Sequence, residues 1–465
     1  SRGQSLPDWL AMRSGRFEVF TDGVAFPESK EDIRRVLALA RGKSWVLIPY
    51  GGGTSVAGHI TPDMQERPVL TISLAKMNRL IDIERTSQIA TFGPGTPGPE
   101  VEAQLKPHGF LLGHYPQSYE LSTVGGWVVT RSSGQQSYRY GRIEQLFAGG
   151  TLETFEGPLE LPTFPASSAG PDLREMILGS EGRFGVVSEV KVRVTPIAAS
   201  ESFHVAFSPS WATSIQLARE AAQRGIPLSM LRLSNGTETE TQMAMAGKPD
   251  AIVWLDRYLK LRGVGEQKSM VTFGLTGSKA QCKSAWRELR ALFSELGVVH
   301  IGKSLGKLWE HSRFRSPYLR HTLWELGYAV DTLETAVDWV RLPQAVERIE
   351  AALREALPDL PVHVFTHMSH IYAQGASIYT SYIFPNGQSY DETLARWTTL
   401  KAKVSNAVVE SGGTISHQHG VGRDHAPYLS AEKGALGMDA LGALREHFDP
   451  EETLNPGVLL EASPK

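Results

Sequence analysis

The sequence predicts an α+β protein built as two domains, and three observations carry that prediction. The chain has 465 residues, more than one compact core organises. Its first third alternates short apolar runs with amphipathic stretches closed by Gly or Pro. Its middle, about residues 197–387, alternates strands and helices in a pattern suited to an antiparallel sheet. The boundary falls at Pro196, which closes the period-two strand in "MILGSEGRFGVVSEVKVRVT".

The elements follow in order. "VAFPESKEDIRRVLALARG" reads as a helix with Ser29 as N-cap and acids in its first turn. Ile33, Val36, Leu37 and Ala40 share one face, and Gly42 ends it. "SWVLIPY" is a buried strand running straight into "GGGTSVAG". "VLTISL" and "SQIATFGPG" are further strands, and "PEVEAQLKPHG" is a short helix with a Gly stop. The middle carries "SFHVAFSPS", "WATSIQLAREAAQRG", "PLSMLRLSN", "DAIVWLDRYL" and "SAWRELRALFSELG". "SYDETLARWTTLKAKVSNAVVESGG" is a long helix with Leu394, Trp397, Lys401, Val404 and Val408 on one stripe. "TISHQHGVGRDHAPYL", a closing helix and "FDPEETLNPGVLL" finish the chain.

Composition narrows the functional class. The chain is 41% hydrophobic and 21% charged, ordinary for a globular protein. A net charge of −3 argues against nucleic acid as partner. Cys282 is the only cysteine, which excludes an intrachain disulfide framework and a cysteine metal cluster. No apolar run is long enough for a bilayer, and the first residues lack the apolar region of a secretory leader. The expectation is a cytoplasmic protein, with peripheral contact at a membrane surface and a homodimer left open.

Two glycine-rich stretches need separating. "GPGTPG" (Gly93 to Gly98) has dinucleotide-fingerprint spacing, but its prolines remove backbone donors and no clear βαβ unit surrounds it. It reads as a turn. "PYGGGTS" puts three glycines after a buried strand, followed by Thr54 and Ser55, as either a tight turn or a nest for phosphate oxygens. "STVGGWVVTRSSGQQSYRYG" has no acid and many hydroxyls around Trp127. It reads either as a surface loop or as a wall against a phosphate or heteroaromatic ring.

Taken together, "PYGGGTS", "QSYELST", "TRSS" and "EGRFGVV" resemble the FAD-binding domain of the vanillyl-alcohol oxidase type. The resemblance implies a two-part FAD-binding domain, residues 1–196 plus C-terminal helices 388–465, with an α+β cap domain at 197–387. It assigns the pyrophosphate to Pro49, Tyr50, Gly51, Gly52, Gly53, Thr54 and Ser55. The flavin and adenosine fall to three later stretches. These are Gln117, Ser118, Tyr119, Glu120, Leu121, Ser122 and Thr123; Thr130, Arg131, Ser132 and Ser133; and Glu181, Gly182, Arg183, Phe184, Gly185, Val186 and Val187. Non-covalent FAD is implied, since the familiar attachment residues are not evident. His59 in "AGHI" is the one position that could depart from this.

Within that family, "LSTVGGWVVTRSSG", "LRLSN", "YLR", "GASIY" and "TISHQHGVG" resemble the alkyldihydroxyacetonephosphate synthases. The reaction implied is a redox-neutral exchange. The acyl chain of acyl-dihydroxyacetone phosphate is replaced by a fatty alcohol, and the flavin serves as scaffold. The resemblance marks Tyr379 as the proton-transfer group and Arg232 as the charge against the flavin. It makes His417 and His419 the outer members of a three-histidine run whose middle is Gln418 here. Arg320, His114 and Thr332 fall on the phosphate side of the substrate, and Gln117 stands where the family has Asp. A phenol with pKa near 10 needs tuning by neighbours to act as a base near neutral pH. Without the resemblance, Tyr379 reads as core and Arg320 as a solvated helix charge.

No metal is expected. His367 and His370 in "FTHMSH", with His417 and His419, supply nitrogens but no completing carboxylate. Two other functions stay open. One is an FAD-dependent dehydrogenase of a 2-hydroxy acid of the lactate or glycolate type on the same fold. The other is a flavin-binding scaffold without activity.

Overall fold

The structure, a computed structural model, describes residues 2–17, 19–62, 66–245 and 249–461. It divides into two compact units. The first is Ser1–Gly134, Gly141–Ile197 and Gln418–Lys465; the second is Gln135–Tyr140 and Ala198–His417.

In the first unit, the strands Gly23–Ala25, Val69–Ser73 and Val46–Tyr50 form a small parallel sheet. The helix Lys30–Arg41 forms where its caps predict, with Ser29 Oγ accepting from Asp32 N at 3.2 Å. Its buried residues Ile33, Leu37 and Ala40 pack with Leu47, Ile72, Val186 and Leu454 in one core. A five-stranded antiparallel sheet runs in the order Leu80–Glu84, Ile89–Phe92, Val186–Arg193, Phe147–Thr154, Gly157–Leu161. The C-terminal segment is tied back by backbone bonds. Leu47 N donates to Thr453 O and Asn455 N to Leu47 O, both at 2.8 Å.

The second unit is built on a seven-stranded antiparallel sheet. Its order is Val299–Gly302, Ser200–Ser208, Ser269–Gly277, Met230–Ser234, His363–Met368, Gly375–Pro385, Tyr328–Asp338. Side chains alternate between the two faces of such a sheet. Registers pair Arg232 with Thr272, His367 with Tyr379, and Tyr379 with Glu334, which puts these residues on one face. His204, Phe273 and Leu231 pair along the opposite face.

The expected return to the first domain at residue 388 differs from what is found. The helix Tyr390–Glu410 stays with the second unit, and the chain returns only at Gln418. Trp397 Nε1 donates to the buried Asp331 Oδ2 at 2.7 Å, and Arg396 Nη1 donates to the Pro385 and Asn386 carbonyls at 2.9 Å. The apolar stripe was therefore readable, but its main partner is the helix Leu342–Arg354 of the second unit. The short piece Gln135–Tyr140 also joins this unit, where Ser137 Oγ lies 2.9 Å from His370 Nδ1.

Candidate active site

The first unit gathers the four glycine- and hydroxyl-rich stretches. A Cβ on Gly51 would overlap Thr123 Oγ1, and one on Gly52 would overlap the Leu121 carbonyl, so only glycine lets these loops meet. A Cβ on Gly182 would come within 3.1 Å of Pro49, which brings "EGRFGVV" against the same loop. The "TRSS" stretch follows the helix Val124–Val129, whose Val129 carbonyl accepts from Glu181 N at 2.9 Å. Among the described residues, the N–H groups of Gly52, Gly53 and Thr54 donate to no protein acceptor. A concave row of free amides suits an anion. "GPGTPG" is the opposite case. Gly93, Gly95 and Gly98 donate to the Arg79, Met77 and Ser122 carbonyls, so the turn reading holds there.

The hydroxyls around Trp127 have defined work. Ser122 Oγ accepts from Trp127 Nε1 at 2.7 Å, and Thr123 caps the following helix. His114 packs on the Trp127 ring, with Nε2 at 2.7 Å from Ser132 Oγ. Burial, reinforced by Arg142, pushes His114 down to about 3, so it is neutral at physiological pH. It belongs to the first unit, whereas Arg320 and Thr332 belong to the second. His114, expected on the phosphate side of the substrate, is neutral here and braces the Trp127 wall through its ring and Ser132.

Other cofactor-side expectations also change. The fully buried Arg183 donates Nη1 to the Leu454 carbonyl and lies 3.7 Å from Asp449, so it ties the C-terminal segment in place. Phe184 packs on Phe448, and Val186 belongs to the core, so that stretch offers backbone rather than these side chains. Arg131 pairs with Glu175 at 2.7 Å. Glu181 accepts from Val421 N at 2.6 Å and Gly422 N at 2.7 Å, fixing the loop after His419. His59 has Nδ1 at 2.6 Å from Ser55 Oγ and Nε2 at 3.2 Å from Glu181. Burial disfavours its charged form, but Glu181 and Asp424 outweigh burial and raise its pKa.

The second unit carries a polar cluster on one sheet face. Arg232 Nη2 lies 2.6 Å from Glu238 Oε1 and 3.1 Å from His367 Nδ1. His367 stacks on Tyr379 at 4.6 Å, and Tyr379 donates to Thr332 Oγ1 at 3.1 Å. Burial raises the Glu238 carboxyl, yet His367 and Arg232 outweigh it and hold it down to about 2. Burial and the Arg232 guanidinium push His367 down more than Glu238 holds it up. Burial, with the Glu334 and Asp331 carboxylates, pushes Tyr379 up to about 12. The tuning is thus opposite to what a phenolate base needs: Tyr379 holds its proton. Burial lowers Arg320, opposed by the nearby Asp331 and by Tyr379 and Tyr382.

A second group sits beside it. His417 Nε2 is 2.7 Å from Tyr372 OH, its backbone N–H donates to Glu334 Oε2 at 2.7 Å, and its ring is 5.0 Å from that of His370. Ser416 Oγ donates to Glu334 Oε1 at 2.8 Å. His419 lies in the same loop, across the unit division. His367 and His370 do not converge on a metal: one faces Arg232 and Glu238, the other Ser137. Among the described residues no group of three or more His, Cys, Asp and Glu has metal-ligating geometry. Glu238, Glu334, Asp331 and Tyr372 were not foreseen. The one local signal was an acid inside an apolar strand, as in "YAVDTLETAV".

Family models match most of the chain. The model described as "FAD linked oxidases, C-terminal domain" matches residues 197–459, more than half of the chain, and an "FAD binding domain" matches residues 21–158. The chain belongs to the FAD-linked oxidase family. The two-domain α+β FAD-binding fold expected from the sequence is borne out, and FAD is its cofactor. Among its relatives, an alkyldihydroxyacetonephosphate synthase of Trypanosoma brucei brucei is 29% identical. That match covers 99% of this chain and 77% of the relative. The synthase of Dictyostelium discoideum is also 29% identical, over 98% of this chain and 76% of that one. A solved alkyldihydroxyacetonephosphate synthase structure superposes with a TM-score of 0.84 at 27% identity, covering 98% of this chain and 81% of that one. The free amides at Gly52–Thr54 and the glycine contacts that admit no Cβ fit this cofactor's pyrophosphate, so the fold and the residues agree.

Proposed function

We propose that this flavoenzyme exchanges the acyl chain of acyl-dihydroxyacetone phosphate for a fatty alcohol without net electron transfer, using non-covalent FAD. The observation that carries the reading is the Arg232–Glu238–His367–Tyr379–Thr332 cluster in a chain similar along nearly its whole length to synthases of that name. FAD, held by the Gly52–Thr54 amides, would supply a nucleophilic ring nitrogen as a scaffold for the exchange.

The protein's own groups then have distinct tasks. The amides of Gly52 to Thr54 hold the pyrophosphate. Arg320, with Thr332, receives the substrate phosphate, since a planar guanidinium suits two phosphate oxygens. Arg232, fixed by Glu238, presents a permanent charge. Tyr379 keeps its proton and donates a hydrogen bond to the developing negative charge on the departing carboxylate oxygens. His417, oriented by Tyr372 and Glu334, accepts the proton that leaves carbon. Both ring nitrogens of His59 face protein partners, which favours FAD that is not bonded to the protein. No helix among the described residues is long and apolar enough to cross a membrane. A lipid substrate calls for a peripheral enzyme that meets a membrane surface.

The test is anaerobic. Purified holoenzyme is mixed with acyl-dihydroxyacetone phosphate and a long-chain alcohol, with no electron acceptor, and fatty acid and ether product are followed. Product without acceptor is expected. No product, together with flavin bleaching by D-lactate or glycolate, would replace the reading with a 2-hydroxyacid dehydrogenase.

A further inference from the structure

The second unit has a cavity that the proposed chemistry does not use. It has a volume of about 830 Å³ and lies against the His204–Phe273 face of the seven-stranded sheet, opposite the face that carries Arg232 and Tyr379. The helix Lys279–Leu296 and the strand Val299–Gly302 supply most of its walls.

Its lining is chemically one-sided. Arg262, Lys283, Arg290 and Lys303 contribute cations, and no carboxylate lines it. Among the described residues none of the four is within ion-pair distance of an Asp or Glu; Arg262 instead meets the Tyr258 hydroxyl at 3.0 Å. At the floor, His204 Nδ1 is 3.0 Å from His300 Nε2, and His204 Nε2 is 3.0 Å from Ser202 Oγ. Trp286, Phe293 and Leu275 add an apolar wall. Burial, with His300 and Lys303 nearby, pushes His204 down to about 4.

Clustered cations repel one another and are normally interspersed with acids. A singly charged carboxylate would leave most of this charge unbalanced. A phosphate monoester brings close to two negative charges and three acceptor oxygens for guanidinium and ammonium donors. The cavity exceeds what a bare phosphate fills, and its aromatic side accepts an organic portion. We propose that this cavity binds a small phosphate monoester at a site separate from the Arg232–Tyr379 cluster. The proposal stands independently of the reaction assigned to that cluster.

Cys282, the only cysteine, lines the cavity and reports on it. The holoenzyme is labelled with neutral iodoacetamide while glycerol 3-phosphate is titrated at constant ionic strength. In parallel, vesicles of phosphatidylcholine with and without phosphatidic acid are tested. Calorimetric titration of glycerol 3-phosphate gives a second readout that does not depend on the thiol. Saturable slowing by glycerol 3-phosphate identifies a soluble ester as the source. Slowing only by phosphatidic acid vesicles identifies a lipid headgroup. In either case the double variant Lys283→Glu, Arg290→Glu, and its neutral counterpart Lys283→Gln, Arg290→Gln, weaken binding by about tenfold or more. Flavin content stays unchanged. The proposal fails if neither probe slows labelling or releases heat, if chloride at matched strength acts equally, or if the variants bind as the parent does.

Discussion

Replacing Tyr379 with Phe removes one hydroxyl from the centre of the proposed site and separates two chemical roles for it. The phenol is buried against His367, with Glu334 and Asp331 nearby, and is pushed up to about 12. Each pH unit corresponds to about 1.4 kcal/mol, so ionising it at pH 7 costs about 7 kcal/mol, and roughly one molecule in 10⁵ carries a phenolate. A base present at that level would have to recover the whole deficit in reactivity. A donor starts with its proton in place. Tyr379→Phe is therefore expected to lower kcat by about 10²- to 10³-fold. Flavin content should stay at the parental ratio, because the substitution leaves the Gly52–Thr54 amides proposed to hold the pyrophosphate untouched. The lost hydrogen bond to Thr332 costs only about 0.5–1.5 kcal/mol of stability, so the variant should fold. The assay is kcat/KM from pH 6 to 10, with the 450 nm absorbance read per protein. A donor held near 12 contributes no limb to that profile. An ascending limb with an apparent pKa between 7 and 9 that vanishes in Tyr379→Phe would refute this assignment, as would undiminished turnover.

Three further outcomes follow from the same geometry. Gly52→Ala places a Cβ on the Leu121 carbonyl; overpacking of this kind costs about 1–3 kcal/mol, so the FAD dissociation constant should rise roughly 5- to 150-fold by equilibrium dialysis. Arg320→Ala should raise KM for the phosphorylated substrate by about tenfold or more while leaving flavin content alone; loss of FAD instead would mean that Arg320 is misassigned. Asp449 is raised to about 6 from an ordinary 3.8, with burial the leading cause. Its folded form therefore favours the proton. The stability it contributes is full below pH 3.8 and is lost, by about 3 kcal/mol, as pH rises through 6. Thermal unfolding of Asp449→Asn beside the parent should show the difference shifting in the variant's favour from pH 4 to 7. A constant difference would show that Asp449 does not titrate as assigned.

Local signals were readable and long-range ones were not. Ser29, the amphipathic face through Ile33 and Leu37, and Gly42 located a helix because capping and periodicity act within a few residues. The contrast between the two glycine stretches also survived, because free or occupied amides follow from prolines and neighbouring turns. Glu238, Glu334 and Asp331 were missed because they reach Arg232, Tyr379 and Trp397 only through sheet register and helix packing across many tens of residues. No local pattern encodes that register. Arg183 misled for a different reason. It sits in a cofactor stretch, but the left-handed backbone at Glu181 and Gly182 reverses the chain there, and its side chain runs to Leu454 and Asp449. Membership of a motif does not fix a side chain's direction.

The division of labour between the units is itself open to a decisive comparison. Every contact that shapes the glycine cradle lies within the first unit: Gly51 with Thr123, Gly52 with Leu121, Gly182 with Pro49. The bonds that join Arg232 to Glu238 and His367, and Tyr379 to Thr332, lie within the second. A lesion in the cradle should therefore empty the cofactor site yet leave the cluster intact. Gly52→Ala given saturating FAD should recover nearly parental kcat, because binding energy restored by mass action leaves the second unit untouched. Arg320→Ala under the same FAD should recover nothing, since its deficit concerns substrate. If excess FAD rescued both variants, or neither, cofactor retention and substrate recognition would not be separable properties of the two residue sets. The assignment of Arg320 to phosphate would then fall with that separation.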